Sequence, residues 1–355
     1  MRILFSIVFI MLAGAVAAVF ALQAPTKWDT GEVIRTPDER FADLEGYPFA
    51  PNYVEALGYR VHYVDEGPRD GETILLMHGQ PSWSYLYRHM IPALAAAGYR
   101  VIAPDLVGFG RSDKPLEQSD HSYQMHIDVM AEVVRQLDLE DATLFAQDWG
   151  GLIGLRVVPE EPDRFARIMI SNTGLPAAGG IRGWIGYPLF RLAVLREGTP
   201  DAPAVTGEDF RFSRWVAWAA NVKNFDVGAV LQGASQTTLS PGALAAYQAP
   251  FPDEQYQAAI RVFPGLVPSQ LRQNQRVLDE FYARWEKPFL TAFGDKDPVT
   301  RGADAVFRET VPGAQGQPHT TVTGGGHFIQ EDRPDELVSL LTTFIEANPR
   351  GDETR

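Results

Sequence analysis

The sequence predicts an α/β fold, a mostly parallel β-sheet flanked by helices, with a helical cap domain inserted partway along the chain. Three observations carry this. From residue 59 onward, short apolar runs alternate with helix-like stretches. Several of those runs have no polar face, as strands covered on both sides require. The alternation stops after Asn172 and resumes only at Pro288.

Residues 59–64 alternate apolar and polar positions, the pattern of a strand with one open face. Runs 73–77, 100–103, 143–146 and 168–170 read as buried strands. Between them, 89–97 reads as a helix, and 123–137 places Met125, Val129, Val133 and Leu137 at helical spacing. Another helix-like stretch runs from Asp148 to Val158, where Pro159 is expected to end it. Strand, crossover helix and strand in succession imply parallel pairing. Residues 173–284 hold Gly-rich turns and amphipathic stretches but no buried-strand run, so they form the cap. Residues 288–293 and 319–322 return to strand, and 334–346 forms the last helix. The organisation is core at 27–172, cap at 173–284, core again at 285–347 and a frayed tail at 348–355.

A chain of 355 residues has room for one large domain, or one domain with an insertion. Hydrophobic residues are 45% and charged residues 21%, which excludes a disordered chain or a coiled coil. Lys and Arg number 31 against 45 Asp and Glu, a net charge of -14. That leaves no electrostatic footprint for nucleic acid and a poor match to an anionic membrane. The absence of cysteine excludes disulfides, cysteine nucleophiles and thiolate metal sites.

The N-terminus is a separate segment. Arg2 is followed by residues 3–22 without a charge, with small residues Ala15, Ala17 and Ala18 near the end. This reads as a secretory signal. It is also long enough to span a bilayer as an uncleaved anchor. Pro25 directly after Ala24 argues against cleavage between them, and both readings stand. Either puts the remainder outside the cytoplasm: periplasmic, secreted, or anchored to the membrane through residues 3–22. Residues 1–26 are therefore set apart from the fold.

Ala146-Gln147-Asp148-Trp149-Gly150-Gly151 joins a buried strand to a helix. Small residue, x, nucleophile, x, small residue is the pattern of a nucleophile elbow, here with Asp148 where serine is usual. A serine needs a base before it attacks, whereas a carboxylate is already an anion at neutral pH. The helix N-terminus that follows favours that charge. Such a group can displace a leaving group from saturated carbon and become an ester. A plain helix N-cap is the alternative role for an Asp at this place.

His78-Gly79-Gln80-Pro81 follows the strand at 73–77, where a loop supplies the second N–H of an oxyanion hole. Gln80 and Trp149 are the expected donors, and His78 is structural. Gly294-Asp295-Lys296-Asp297-Pro298 ends the strand after the cap, and Gly324-Gly325-Gly326-His327 lies beyond it. Nucleophile, acid, histidine is the chain order of the α/β-hydrolase fold. Asp297 is the expected acid, orienting His327 as base, with Asp295 as rival.

At His78-Gly79-Gln80-Pro81-Ser82-Trp83-Ser84-Tyr85-Leu86-Tyr87-Arg88, Asp105-Leu106-Val107-Gly108-Phe109-Gly110-Arg111-Ser112-Asp113 and Gln147-Asp148-Trp149-Gly150-Gly151, the chain resembles haloalkane dehalogenases of the first subfamily. The similarity extends to Arg35-Thr36-Pro37-Asp38-Glu39-Arg40-Phe41 and Ala249-Pro250-Phe251-Pro252-Asp253, and covers about residues 35–347. The family usually has Glu where this chain has Gln80. Activity is expected to survive, because the backbone N–H is what the hole uses.

The resemblance implies hydrolysis of haloalkanes to a primary alcohol and halide, through an alkyl ester on Asp148 that is cleaved by water activated by His327. It calls for no metal or organic cofactor. It also implies two indole N–H donors for the halide, Trp149 and one cap tryptophan. Phe212-Ser213-Arg214-Trp215 is similar to the family's segment there, which favours Trp215 over Trp218 and Trp184. The closest rival is an epoxide hydrolase, which would need acidic phenols from Tyr187, Tyr247, Tyr256 or Tyr282. A binding protein of the same fold is a second rival, which the intact set Asp148, Asp297 and His327 opposes.

Overall fold

The computed structural model of the chain describes Trp28, residues 30–201 and residues 210–350. The run at 3–22, read as signal or anchor, lies outside the described residues. Among those described, no helix is long and apolar enough to cross a membrane.

Ten strands are present among the described residues: β1 (Val33–Ile34), β2 (Asn52–Ala56), β3 (Tyr59–Glu66), β4 (Thr73–Met77), β5 (Arg100–Pro104), β6 (Lys114–Pro115), β7 (Ala142–Gln147), β8 (Phe165–Ser171), β9 (Phe289–Gly294) and β10 (Thr320–Val322). Core helices are α1 (Met90–Ala96), α2 (Tyr123–Gln136) and α3 (Trp149–Glu160). Among the described residues, six α-helices then lie between β8 and β9: α4 (Gly180–Glu197), α5 (Phe212–Asn221), α6 (Val227–Ala234), α7 (Pro241–Gln248), α8 (Ala258–Leu266) and α9 (Leu271–Glu280). The core resumes with α10 (Ala305–Thr310), α11 (Ile329–Asp332) and α12 (Pro334–Ala347).

Eight strands form one sheet in the order β10-β9-β8-β7-β4-β5-β3-β2. All neighbours are parallel except where β3 runs against β5 and β2. Parallel strands need both faces covered, and β4 and β7 are buried at every position. Each fully buried Ile, Leu or Met side chain there contributes about 1.5–3 kcal/mol of hydrophobic stabilisation. Helix α2 starts where the Ser122 side chain accepts the Met125 N–H at 3.1 Å, a local N-cap.

The chain builds outward from β4 in both directions, to β5 on one side and through β7, β8 and β9 on the other. The order therefore reverses between β4 and β7. In open α/β sheets, ligands bind beyond the strand ends at such a reversal. The loop after β4 carries Gln80 and the turn after β7 carries Asp148.

Two expectations need correction. Helix α3 does not stop at Val158 but runs through Pro159 to Glu160. Proline deprives the Leu155 carbonyl of its helical donor, and the Tyr282 hydroxyl donates to that oxygen instead at 2.8 Å. Asn348 is not part of a frayed tail. Its Nδ2 donates to the Phe344 carbonyl at 2.8 Å, and its own carbonyl accepts from the buried Arg167. Strand β2 was not visible as a run of its own in the sequence.

Candidate active site

Asp148 occupies the sharp bend between β7 and α3 with φ 49° and ψ -125°. Non-glycine residues avoid this region at a cost of about 1–3 kcal/mol, and such strain collects at functional sites. The bend is held from two sides. Asp148 N–H donates to the Asn172 carbonyl at 3.0 Å, and the Thr173 hydroxyl donates to the Asp148 carbonyl at 2.6 Å. Tight packing explains the small neighbours: a Cβ on Gly150 would lie 2.0 Å from the Met77 carbonyl oxygen.

The Asp148 carboxylate does not cap its helix. Its Oδ1 instead accepts the backbone N–H of Gln80 at 2.7 Å. Gly79 permits this approach, since a Cβ there would sit 2.3 Å from the same oxygen. Trp149 opens α3, where backbone N–H groups have no partner within the helix. His78 is buried in the loop base: its Nε2 accepts the Leu106 N–H at 2.9 Å and its Nδ1 faces the Gly79 carbonyl at 3.0 Å. Burial lowers its pKa, so it stays neutral.

His327 reaches the other carboxylate oxygen. Its Nε2 lies 3.5 Å from Asp148 Oδ2, and its Nδ1 lies 3.1 Å from Asp297 Oδ2. Asp297 is 1% exposed, and its carboxylate also accepts the Val299 N–H at 2.8 Å and the Thr300 hydroxyl. The rival Asp295 points elsewhere, accepting the Gly324 N–H at 2.6 Å and pairing with Lys296 at 3.3 Å. Burial opposes charge on both partners. Even so, Asp297 is held below the usual carboxylate range by His327, Thr300 and the Val299 N–H. Burial likewise lowers the His327 pKa, but Asp297 and Asp148 outweigh it and push the value up to about 10.

Two residues outside the predicted set position this group. Asn172, with φ 40°, joins all three loops. Its carbonyl takes the Asp148 N–H, its Oδ1 takes the Gly294 N–H at 2.8 Å, and its Nδ2 donates to the carbonyls of Gly326 and His327 at 2.6 and 3.1 Å. Gln147 Nε2 donates to the His327 carbonyl at 2.9 Å and lies 3.4 Å from the ring Nε2. Both are polar residues at the ends of apolar strands, a weak signal that a buried partner exists.

The group opens onto a cavity between core and cap. Its core side is Gln80, Asp148, Trp149 and His327; its cap side is apolar, with Phe212, Trp215, Val230 and Val267. Trp149 and Trp215 thus line one cavity. Trp218 stacks behind Trp215 with ring centroids 5.2 Å apart and does not line it. Trp184 lies on the surface, 65% exposed. The Gln80 amide does not point a free donor at the cavity but ties core to cap, donating to the Ile260 carbonyl at 2.9 Å.

A parallel sheet, a strained bend bearing an acidic residue, and an acid–histidine pair on later strand ends define an α/β hydrolase. The α/β hydrolase fold family model matches residues 72–334. The chain is 48% identical to a haloalkane dehalogenase of Psychrobacter cryohalolentis over 328 residues, 90% of this chain and 100% of that one. It is 43% identical to a haloalkane dehalogenase of Mycobacterium marinum, over 88% of this chain and 99% of that one. Among solved structures, a haloalkane dehalogenase of Paraglaciecola agarilytica superposes with a TM-score of 0.72 at 30% identity, covering 88% of this chain and 97% of that one. The chain belongs to the haloalkane dehalogenases, hydrolases that act on carbon–halide bonds.

Proposed function

We propose that the site cleaves haloalkanes in two covalent steps, and the observation that carries this is Asp148 set between the Gln80 N–H and His327 at the floor of an apolar cavity. An Asp148 oxygen attacks the halogen-bearing carbon as the carbon–halogen bond breaks, giving an alkyl ester and free halide. The halide departs between the indole N–H groups of Trp149 and Trp215. Water then adds to the ester carbonyl and gives up a proton to His327 Nε2. The resulting oxyanion is held by the N–H groups of Gln80 and Trp149, worth roughly 3 kcal/mol per donor. Collapse expels the alkoxide, which takes the proton from His327 and leaves as a primary alcohol. The remaining carboxylic acid of Asp148 ionises. The sum is haloalkane plus water to alcohol, halide and a proton.

The charges time the two steps. Asp148 is one of the groups that keep His327 protonated in the resting enzyme. Alkylation removes that negative charge, so the imidazole pKa falls and the proton escapes. His327 becomes a base only once there is an ester to hydrolyse. Asp297 then stabilises the imidazolium formed when water is deprotonated.

The epoxide-hydrolase reading is not favoured. No tyrosine is among the described residues that line the cavity. Tyr247 donates to Glu331 and Tyr282 to the Leu155 carbonyl, each away from Asp148. The uncharged run at 3–22 supports a working location outside the cytoplasm, in the periplasm, secreted or membrane-anchored.

The test is bromide release from 1-bromobutane and 1,2-dibromoethane, followed with an ion-selective electrode. Bromide should accumulate with the intact chain and stay at background with Asp148→Ala. Equal release by both proteins would sink the proposed role of Asp148.

A further inference from the structure

Helix α4 (Gly180–Glu197), the longest in the cap, leaves an apolar stripe uncovered. Ile181, Trp184 and Leu195 are 73%, 65% and 75% exposed, and Ile185, Leu189 and Leu192 accompany them. At about 100° per residue, these six fall within an arc of about 140°. The opposite face packs on the cap. A Cβ on Gly186 would meet Leu271 at 2.7 Å, and Phe190 stacks on Phe212 of the cavity wall at 5.7 Å. The helix therefore has two apolar faces, and the described residues cover one. Contiguous exposed apolar surface of this kind marks an interaction site.

Charge selects the occupant. Arg182 and Arg191 lie at the two edges of the stripe and Arg196 within it. The single acid, Glu197, faces inward, where it accepts the Ser213 hydroxyl at 2.7 Å and pairs with Arg211 at 3.0 Å. Three arginines against one glutamate leave this helix at +2, in a chain of net charge -14. Arg272 adds a guanidinium 3.5 Å above the Trp184 ring. A second copy docked stripe to stripe would set arginine against arginine. Leu, Ile and Trp rimmed by arginine is the make-up of a helix that lies in the headgroup region of an anionic bilayer.

The first described residue lies on the same flank. Trp28 sits beside Asp128 of α2. Gln124, one turn back, accepts from Gln270 at 3.4 Å, and the next residue, Leu271, is the seat of Gly186. The 20 uncharged residues at 3–22 precede that point in sequence.

We propose that α4 is a lipid-docking element whose stripe seats at the headgroup–acyl boundary of an anionic bilayer, next to the cavity wall. The full chain is mixed with vesicles of equal parts phosphatidylcholine and phosphatidylglycerol, a fraction spin-labelled on the acyl chain, and tryptophan quenching is recorded. Trp184 is the most exposed of the seven tryptophans and reports on α4 even if residues 3–22 bring the protein to the vesicle. Part of the emission should be lost on these vesicles, and that loss should vanish in Trp184→Phe. It should also vanish in the double variant Leu189→Asp with Leu192→Asp, which alters only exposed positions and leaves bromide release unchanged. Three results would overturn the proposal: no quenching, equal quenching in Trp184→Phe, or a Trp184 already shielded without lipid at concentrations where the chain self-associates. The last would assign the stripe to a second copy. None of these readings depends on the catalytic assignment.

Discussion

Replacing Asp297 by Asn should separate the two chemical steps. In the wild type, Asp297 Oδ1 accepts the Val299 N–H at 2.8 Å, which fixes that oxygen. An asparagine keeping this bond must place its Nδ2 where Oδ2 was, 3.1 Å from His327 Nδ1. The amide then donates to Nδ1, and the imidazole proton is forced onto Nε2. A protonated Nε2 cannot take a proton from water. The variant also loses the ion pair, worth about 5 kcal/mol at 3.1 Å and an effective dielectric near 20. At about 1.4 kcal/mol per tenfold, ester hydrolysis should slow by about a thousand- to ten-thousandfold. Attack by Asp148 needs neither the base nor the tautomer, so it should proceed nearly as before. Rapid-quench bromide measurement should show a burst close to one equivalent followed by a stalled steady state. Intact mass should show the alkyl adduct, as it should for His327→Gln. A missing burst, or a steady-state loss below about tenfold, would refute the reasoning.

Two further outcomes follow from the same geometry. Trp215→Phe removes one of the two proposed halide donors, and a hydrogen bond to a charge is worth about 1.5–3 kcal/mol, so bromide affinity should fall roughly ten- to a hundredfold. Trp218→Phe should change it far less, as read by bromide quenching of the remaining tryptophans; the reverse order would move the donor to Trp218. His327 has a folded pKa near 10 against about 6.5 unfolded, so its protonation stabilises the fold in full below pH 6.5 and loses that contribution as pH rises toward 10. The melting-temperature advantage of wild type over His327→Gln should shrink across that window, and a constant difference would deny the coupling.

The amino-acid sequence by itself determined the buried strands, the helical insertion and the turn bearing Asp148. These depend on periodicity and on residues adjacent in the chain, such as Gly150 packed beneath the bend. It also carried the chain order of Asp148, Asp297 and His327, the three groups that the structure brings together, because that order is topological. Only tertiary structure separated Asp297 from Asp295, two identical carboxylates in one turn, by aiming one at His327 and the other at the Gly324 N–H. The same holds for Trp215 and Trp218, three residues apart on one helix, of which packing presents the first to the cavity and stacks the second behind it. Pro159 reads locally as a helix end, yet a hydroxyl from residue 282 satisfies the carbonyl it deprives. Asn172 ties together three loops that meet only after the sheet has formed. Each of these outcomes rests on a partner more than a hundred residues away or on the direction of a side chain, and neither is written in local pattern.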